Sequence, residues 1–381
     1  MPQKGGFGTH IEVVVDSKLP TSMPAIRKLH NGPGLDFCPE IALPKYGHRD
    51  VLIAVTHAGI CGTDRHIYEW DKWSQNRVKV GITTGHEFVG RVVAIGNAVE
   101  RTQVGARVSA EGHIGCGECE QCRTGNGHIC DRVDIIGIDV DGCFASYVAV
   151  PEENVWPVHP EIPDRIAAVF DPLGNAVHTV MAAGVSGKSV LITGVGIIGL
   201  MAVTVAKAAG AGKIFATDVD QKRLQLAREL GADEVFDATK PWVENVRKAA
   251  GGGGIHSLVE MSGHPKAIID GFDAMRNGGT AALLGIPSDE ISVDLSKLIF
   301  KGATVLGING RRMFETWYQM ENLILSRRLE LDPIITHEID MQDFEQGFKM
   351  MQSGEAIKVV MRINQEDAIC QTANSTSEVA G

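Results

Sequence analysis

A glycine-rich turn between two apolar segments constrains the fold of this 381-residue chain more than any other feature. The turn, GVGIIG at Gly194–Gly199, follows the predicted strand Ser189–Thr193 and opens a predicted helix. In such a GxGxxG motif Gly194 permits a tight turn, Gly196 lets backbone N–H groups approach a pyrophosphate, and Gly199 lets helix and strand pack closely. Because the chain holds 44 glycines, the motif alone is also compatible with an ordinary turn. The flanking elements decide between a dinucleotide-binding turn and an ordinary one.

Those surroundings alternate between strands and helices. The predicted strands are Ser189–Thr193, Lys213–Thr217, Glu234–Asp237, Ser257–Met261 and Thr280–Leu284, and the predicted helices are Ile198–Ala209, Gln221–Leu230, Pro241–Ala250, Pro265–Met275 and Met313–Ser326. This alternation predicts a doubly wound parallel sheet with crossover helices. The stretch between Lys188 and Lys207 carries no charge, but its three glycines favour a strand, a turn and a helix over a membrane span.

Asp218 lies nineteen residues beyond Gly199, at the end of the second predicted strand. A carboxylate there can accept both hydroxyls of an adenosine ribose and would repel a 2′-phosphate, which favours NAD over NADP. The alternative interpretation is a solvated acid at a strand end.

The first half of the chain has a different pattern of predicted secondary structure. Short strands are predicted at Val51–Val55, Glu87–Ile95, Ala106–Ala110 and Phe144–Val150, separated by glycines. This spacing favours a strongly curved sheet or partial barrel, and a chain of 40.9 kDa is long enough for two domains.

Four cysteines are crowded into one segment with the spacing Cys-x2-Cys-x2-Cys-x7-Cys. They are Cys116, Cys119, Cys122 and Cys130. Four thiolates complete a tetrahedral zinc site with no open position, which predicts a structural ion. The alternatives are an iron–sulfur cluster, whose usual three-residue gap and Cys-Pro are missing, and a redox-active CxxC pair.

A second, more dispersed set combines Cys61, His86, Glu87 and Asp171. Singly, such residues are most often packing or hydrogen-bonded polar groups. Together, a thiolate, an imidazole and a carboxylate supply three mixed ligands and leave one position open, as a catalytic zinc requires. A Lewis acid beside NAD would acidify an alcohol so that hydride leaves its carbon, with Thr63 and His66 as a route for the proton.

The charge balance restricts the partners. Thirty-six basic and forty-seven acidic side chains give a formal charge of −11, so nucleic acid and anionic membranes are disfavoured. The N-terminus does not have the pattern of an export signal, and we expect a soluble, cytoplasmic protein.

Several segments resemble the zinc-dependent medium-chain alcohol dehydrogenase family. They are CGTDRHIYEWDKW at Cys61–Trp73, GHEFVG at Gly85–Gly90, Glu111–Cys122, FDPLGNAVHT at Phe170–Thr179, Glu260–Gly263, Leu284–Ser288, Gly307–Tyr318 and Pro333–His337. The resemblance implies a barrel-like, GroES-type catalytic domain at 23–171 and 319–364, interrupted by a Rossmann domain at 172–318. Residues 1–22 are then an N-terminal extension and residues 365–381 a polar tail.

FDPLGNAVHT and MFETWY together resemble the family members that act in threonine catabolism. They imply oxidation of the 3-hydroxyl of L-threonine, an amino alcohol, to 2-amino-3-oxobutyrate, with NAD as hydride acceptor, two Zn²⁺ per chain and a homotetramer. The alternatives are a sibling dehydrogenase acting on a polyol or vicinal diol, such as sorbitol or 2,3-butanediol, and a non-catalytic NAD-binding protein.

The same resemblance implies individual roles. Cys61, His86 and Glu87 match catalytic zinc ligands, Thr63 and His66 the proton relay, and Asp171 an acid that lies beside the metal or ligates it. For NAD the matching positions are Ile198, Asp218, Arg223, Leu284, Gly285, Ile286, Ile308 and Asn309, although an aromatic residue is expected at 309. Glu111, His113 and Asn175 are candidates for holding the substrate ammonium and carboxylate, with surface or packing roles as the alternative.

Overall fold

The computed structural model describes residues 19–364. The predicted polar tail, 365–381, and all but the last four residues of the predicted extension, 1–22, lie outside this range. The strands are β1 Ser22–Lys28, β2 Asp36–Ala42, β3 Asp50–Gly59, β4 Ile82–Thr83, β5 Glu87–Ile95, β6 Arg107–Ala110, β7 His113–Ile114, β8 Asp134–Ile135, β9 Tyr147–Pro151, β10 Val155–Pro157, β11 Ser189–Thr193, β12 Lys213–Asp218, β13 Glu234–Asp237, β14 Ile255–Glu260, β15 Met275–Leu283, β16 Thr304–Gly307, β17 Ile335–Asp340 and β18 Lys358–Arg362. The α-helices are α1 Gly62–Glu69, α2 Lys72–Arg77, α3 Glu120–Arg123, α4 Asp164–Ala167, α5 Phe170–Ala183, α6 Ile197–Ala208, α7 Gln221–Leu230, α8 Val243–Ala249, α9 Pro265–Ala274, α10 Leu295–Lys301, α11 Glu315–Leu325 and α12 Phe344–Ser353.

Six of these strands form the predicted parallel sheet, in the order β13-β12-β11-β14-β15-β16. The reversal of strand order between β11 and β14 is the switch point at which doubly wound sheets bind ligands. Thr193 is in register with Thr217 on one side and with Glu260 on the other, so the carboxyl ends of three strands meet at one edge. The Rossmann fold is confirmed.

The first half of the chain builds a mostly antiparallel sheet around β3, in the order β10-β6-β5-β3-β18-β17, with β9 also paired to β3. Apolar residues of β3 and β5, such as Val51, Val55 and Val92, are fully or almost fully buried in its core. β18, near the end of the described chain, pairs Val360 with Gly59 of β3. The predicted barrel-like, GroES-type domain is confirmed.

Two continuous helices carry the chain between the sheets. α5 spans the predicted boundary between residues 171 and 172, and α11 spans the one between 318 and 319. α5 packs against α6 and α11 and buries Leu173, Val177 and Val180. The boundaries therefore fall inside packed helices. Among residues 19–364, no helix is long and apolar enough to cross a membrane.

Candidate metal and dinucleotide site

Cys61, His86 and Glu87 meet where three elements converge, with their ligand atoms within 4.8 Å of one another. Cys61 is the N-cap of α1, where its sulfur accepts the N–H of Asp64 while the Asp64 carboxylate accepts the Cys61 N–H at 2.8 Å. The positive end of a helix stabilises negative charge at this position. His86 and Glu87 lie at the start of β5, and both are buried.

The side-chain atoms of this cluster fit a divalent cation. Oε1 of Glu87 is buried without a hydrogen-bond partner, whereas Nδ1 of His86 faces Oδ1 of Asp64 at 3.7 Å and leaves Nε2 as the ring nitrogen for a ligand role. The other Glu87 oxygen pairs with Nζ of Lys358, which is itself buried and donates to the Ile60 carbonyl at 2.7 Å. Burial raises the pKa values of Glu87 and Asp64, and a bound cation would supply the charge that keeps these carboxyls ionised.

The predicted relay residues lie on α1, one turn apart. Thr63 is half-buried and His66 is exposed. Nδ1 of His66 donates to Asp71 at 2.7 Å, and Asp71 also caps α2 by accepting the Ser74 N–H at 2.9 Å. This carboxylate orients the imidazole. Arg65, between the relay residues, pairs with Glu69 at the surface.

Asp171 is buried at the start of α5, but the structure does not group it with the three ligands. Its Oδ2 lies 2.7 Å from Nη1 of Arg311, a buried residue that the sequence analysis did not single out. Arg311 also pairs with Glu111 and donates to Asn175. All three candidates for substrate binding are therefore engaged in an internal network, because Nδ1 of His113 also lies 2.9 Å from Oε1 of Glu111 and 3.1 Å from Nη2 of Arg311.

The four clustered cysteines form a separate lobe, with all four sulfur atoms within 4.8 Å of one another. Backbone N–H groups point at the sulfurs: Cys116 N lies 3.3 Å from the Cys130 sulfur and Cys119 N lies 3.4 Å from the Cys116 sulfur. The N–H groups of Glu118 and Cys119 lower the pKa of Cys116 to about 6, which favours a thiolate. The donor set fits a tetrahedral zinc ion.

The glycine turn follows β11 at the switch point of the parallel sheet. Gly194 has φ of 80°, and a Cβ there would lie 2.6 Å from the Ser262 side chain. A Cβ on Gly199 would lie 2.0 Å from the Gly194 carbonyl, so helix and strand can approach only with glycine. A Cβ on Gly196 meets nothing within 4 Å, which leaves open space beside the helix N-terminus, where a pyrophosphate would fit.

A pocket of about 340 Å³ opens beside this turn. Gly194, Gly196, Asp218 and Arg223 line it, as predicted positions, together with residues that the sequence analysis missed: Trp242, His264 and Lys266. The Asp218 carboxylate is held in place by two hydrogen bonds, since one oxygen accepts the N–H group of Val195 at 2.8 Å and the other accepts that of Asp220 at 2.9 Å.

The remaining predicted cofactor positions lie on neighbouring loops. Ile198 is half-buried in the first turn of α6. Leu284, Gly285 and Ile286 follow β15, and the Leu284 N–H donates to the Glu260 carbonyl at 2.9 Å. Ile308 and Asn309 follow β16, where Ile308 N–H donates to the Leu283 carbonyl at 2.9 Å. All of these loops leave the same edge of the sheet.

Two family models match the two folding units. Residues 47–161 match the alcohol dehydrogenase GroES-like domain, and residues 198–326 match the zinc-binding dehydrogenase model. The chain belongs to the zinc-dependent medium-chain alcohol dehydrogenases, which confirms the resemblance seen in its motifs.

Within that family, the chain is similar to curated proteins named L-threonine 3-dehydrogenase. It is 46% identical to the one from Aeromonas hydrophila over 340 residues and 45% identical to the one from Idiomarina loihiensis, covering 89% of this chain and 99% of each relative. Among solved structures, alcohol dehydrogenase TADH from Thermus sp. ATN1 superposes with a TM-score of 0.83 at 28% identity, over 90% of this chain and 100% of that chain. The 2R,3R-butanediol dehydrogenase from Bacillus subtilis superposes with a TM-score of 0.82 at 28% identity over the same shares.

Proposed function

We propose that this chain oxidises the 3-hydroxyl of L-threonine to 2-amino-3-oxobutyrate and transfers the hydride to NAD. The observation that carries the proposal is identity of 44 to 46% with several proteins named L-threonine 3-dehydrogenase, over 99% of their length. The clustering of Cys61, His86 and Glu87 beside a dinucleotide fold is consistent with that activity.

In the proposed site, Cys61, His86 and Glu87 hold a catalytic zinc ion. When bound, the ion supplies a Lewis acid that makes the substrate hydroxyl more acidic. Lys358 fixes one oxygen of Glu87, and Asp64 faces Nδ1 of His86, so Nε2 is the ring nitrogen left for a ligand role.

Proton removal is assigned to Thr63 and His66. The hydroxyl of Thr63 accepts the proton near the substrate, and the exposed imidazole of His66 passes it to solvent. Asp71 keeps Nδ1 of His66 occupied as a donor, so the ring receives the proton at Nε2. Asp171 is the acid beside the metal.

NAD lies along the carboxyl edge of the parallel sheet in this proposal. Its pyrophosphate occupies the space beside Gly196 and Ile198, and Asp218 accepts the ribose hydroxyls next to Arg223. Leu284, Gly285, Ile286, Ile308 and Asn309 line the nicotinamide end.

The remaining proposals concern the whole chain. A second zinc ion, held by Cys116, Cys119, Cys122 and Cys130, has a structural role. The catalytic domain comprises 23–171 and 319–364 and the Rossmann domain 172–318. The protein acts in the cytoplasm as a homotetramer.

Initial rates of NADH formation test the activity. We expect turnover with L-threonine that is lost in Cys61→Ser and lowered about 100-fold in Thr63→Val, since acid–base catalysis contributes at least about that factor. Cys38→Ser, which alters a cysteine outside both clusters, is the matched control. Absence of turnover with L-threonine in metal-loaded protein would reject the proposal.

A polyol or vicinal diol is the second candidate substrate. The observation in its favour is the superposition on a butanediol dehydrogenase and, at a TM-score of 0.80 and 26% identity, on galactitol-1-phosphate dehydrogenase from Escherichia coli. Measuring kcat/KM for 2,3-butanediol and sorbitol beside L-threonine separates the two candidates, because a preference for a diol would replace the first.

A further inference from the structure

Arg311 is buried in the interior next to the candidate metal site, with about 1% of its surface exposed. Its Nε donates to one oxygen of Glu111 at 2.9 Å and its Nη2 donates to the other. Its Nη1 lies 2.7 Å from Oδ2 of Asp171 and donates to Oδ1 of Asn175 at 3.2 Å. One guanidinium therefore joins Glu111, the residue after β6, to the first turns of α5.

The surroundings of Arg311 are shaped to hold this side chain. A Cβ on Gly174 would lie 2.5 Å from Cδ of Arg311, so α5 has no side chain where the arginine passes. Nε1 of Trp317, at the start of α11, donates to Oε2 of Glu111 at 2.9 Å and completes that end of the network. A residue that merely filled space would not require this set of matched donors and acceptors.

Arg311 supplies the positive charge that both carboxylates of the network, Glu111 and Asp171, contact. Burial acts to raise the pKa of Glu111, but Arg311 and His113 hold it well below its usual range. Glu111 is thus a buried carboxylate already paired inside the protein, and it is not free to pair with a substrate ammonium group. Arg311 also faces Asp171, which lies near His86, since a Cβ on Gly112 would be 3.4 Å from Oδ1 of Asp171 and 3.9 Å from Cβ of His86. Asp171 does not join the cluster of three ligands.

We infer that Arg311 is a positioning residue that holds Asp171 beside the metal site but outside the set of metal ligands. With Oδ2 of Asp171 committed to the guanidinium, the position left open by three ligands stays available to the substrate hydroxyl. Arg311 follows Ile308 by three residues and Asn309 by two. The segment proposed to line the nicotinamide therefore also carries the side chain that positions Asp171. This inference rests on the proposed function for its catalytic consequence, but the placement of Asp171 is testable without turnover.

The test uses full-length protein with Co²⁺ in place of Zn²⁺, whose visible absorption reports coordination number. Because Arg311→Met alone would leave Glu111 buried and unpaired, the variant to use is Glu111→Gln with Arg311→Met. We expect weaker visible bands, because a freed Asp171 joins the metal, together with kcat about 100-fold lower and an unchanged Kd for NAD. Adding Asp171→Asn should restore the bands of the wild type.

Arg312→Met is the matched control, since Arg312 is the neighbouring arginine, half exposed and paired with Glu315 at the surface. It should leave the spectrum and kcat unchanged. The inference would be overturned if the folded double variant, Glu111→Gln with Arg311→Met, had the cobalt spectrum of the wild type. It would also be overturned if adding Asp171→Asn failed to restore the wild-type bands. Lack of turnover by the wild type with L-threonine would instead count against the proposed function, because the spectrum does not depend on the substrate.

Discussion

At the scale of single residues, Lys358 and Glu87 show how a remote side chain stabilises a metal-binding group. Both are fully buried and form an ion pair across 271 residues of sequence. Lys358→Met leaves Glu87 buried without its partner, and breaking such a pair costs about 3–5 kcal/mol. We expect a lower free energy of unfolding in urea and a lower zinc content.

Arg362→Met is the control for that change. Arg362 lies on the same strand, β18, and its pair with Asp340 is exposed on both sides. Such surface pairs contribute about 1 kcal/mol or less, so this variant should unfold almost as the wild type does. Equal destabilisation of the two variants would show that the strand matters and the buried pair does not.

Asp218 is the residue expected to set cofactor preference. Its carboxylate would repel the 2′-phosphate of NADP, and Asp218→Asn removes the charge while keeping an acceptor oxygen for one of the two N–H groups, of Val195 and Asp220, that Asp218 binds. We expect the ratio of kcat/KM for NADP to that for NAD to rise about tenfold, equivalent to about 1.4 kcal/mol. Asp237→Asn, on the neighbouring strand and bonded to Thr239, should leave the ratio unchanged.

At the scale of secondary-structure elements, the cysteine lobe around α3 depends on its sulfurs. Among its members, Cys119 caps α3 and Cys130 ends the following turn. Cys116→Ser should reduce the zinc content from about two ions per chain to about one and lower the melting temperature, because a structural ion contributes folding energy. Metal analysis of Cys38→Ser should still give two. An amber-brown wild-type protein would instead indicate iron and sulfur.

The junction of β6 and α4 provides a pH-dependent contribution to stability. Asp164 accepts hydrogen bonds from Thr56 at 2.6 Å and Arg107 at 2.5 Å, and lies 3.5 Å from His57. Although burial opposes it, these groups hold the pKa of Asp164 well below its usual range.

A carboxyl whose pKa is lower in the folded protein stabilises it above the unfolded value of about 3.9, and the contribution is lost as the pH falls through and below that value. Asp164→Asn should therefore melt at a lower temperature than the wild type near pH 7, and the difference should shrink below about pH 4. Glu153→Gln, in an exposed pair with Arg49, should show no such trend. A constant difference across the pH range would contradict the argument.

Periodicity made several elements predictable from sequence. The bounds of β11 and α7 match the predicted Ser189–Thr193 and Gln221–Leu230, because their apolar spacing and flanking turns are local signals. The strand predicted to begin at Phe144 begins at Tyr147 instead, since the N–H groups of Cys143 and Phe144 donate to the carbonyls of Gly85 and Thr84 in a loop contact.

The buried charges of the site were not predictable in the same way. Arg311 and Lys358 look like surface residues in the sequence, and their carboxylate partners lie 200 and 271 residues away. Only the three-dimensional meeting of these segments reveals that the charges are paired. The local Cys and GxGxxG spacings, in contrast, carried the metal and dinucleotide hypotheses from the sequence alone.

At the scale of the whole molecule, one edge of the parallel sheet presents apolar side chains to solvent. β16 is the edge strand, paired only with β15 among the described strands, and Leu295, Ile299 and Phe300 of the adjacent α10 are 65–85% exposed. Unpaired edges and clustered apolar side chains favour association with another chain. This edge is therefore the surface through which we expect copies of the chain to assemble.

Light scattering at several concentrations tests that expectation. Ile299→Glu with Phe300→Glu places two charges on the exposed face of α10, where burial against a second copy would be unfavourable. The homotetramer mass expected for the wild type should fall to that of a smaller species. Val104→Glu, which alters an apolar side chain 55% exposed in the loop before β6, should keep the wild-type mass. Neither substituted residue lies near the metal ligands or the glycine turn, so the zinc content should stay constant. An unchanged mass in the double variant would show that the chains do not assemble through this edge.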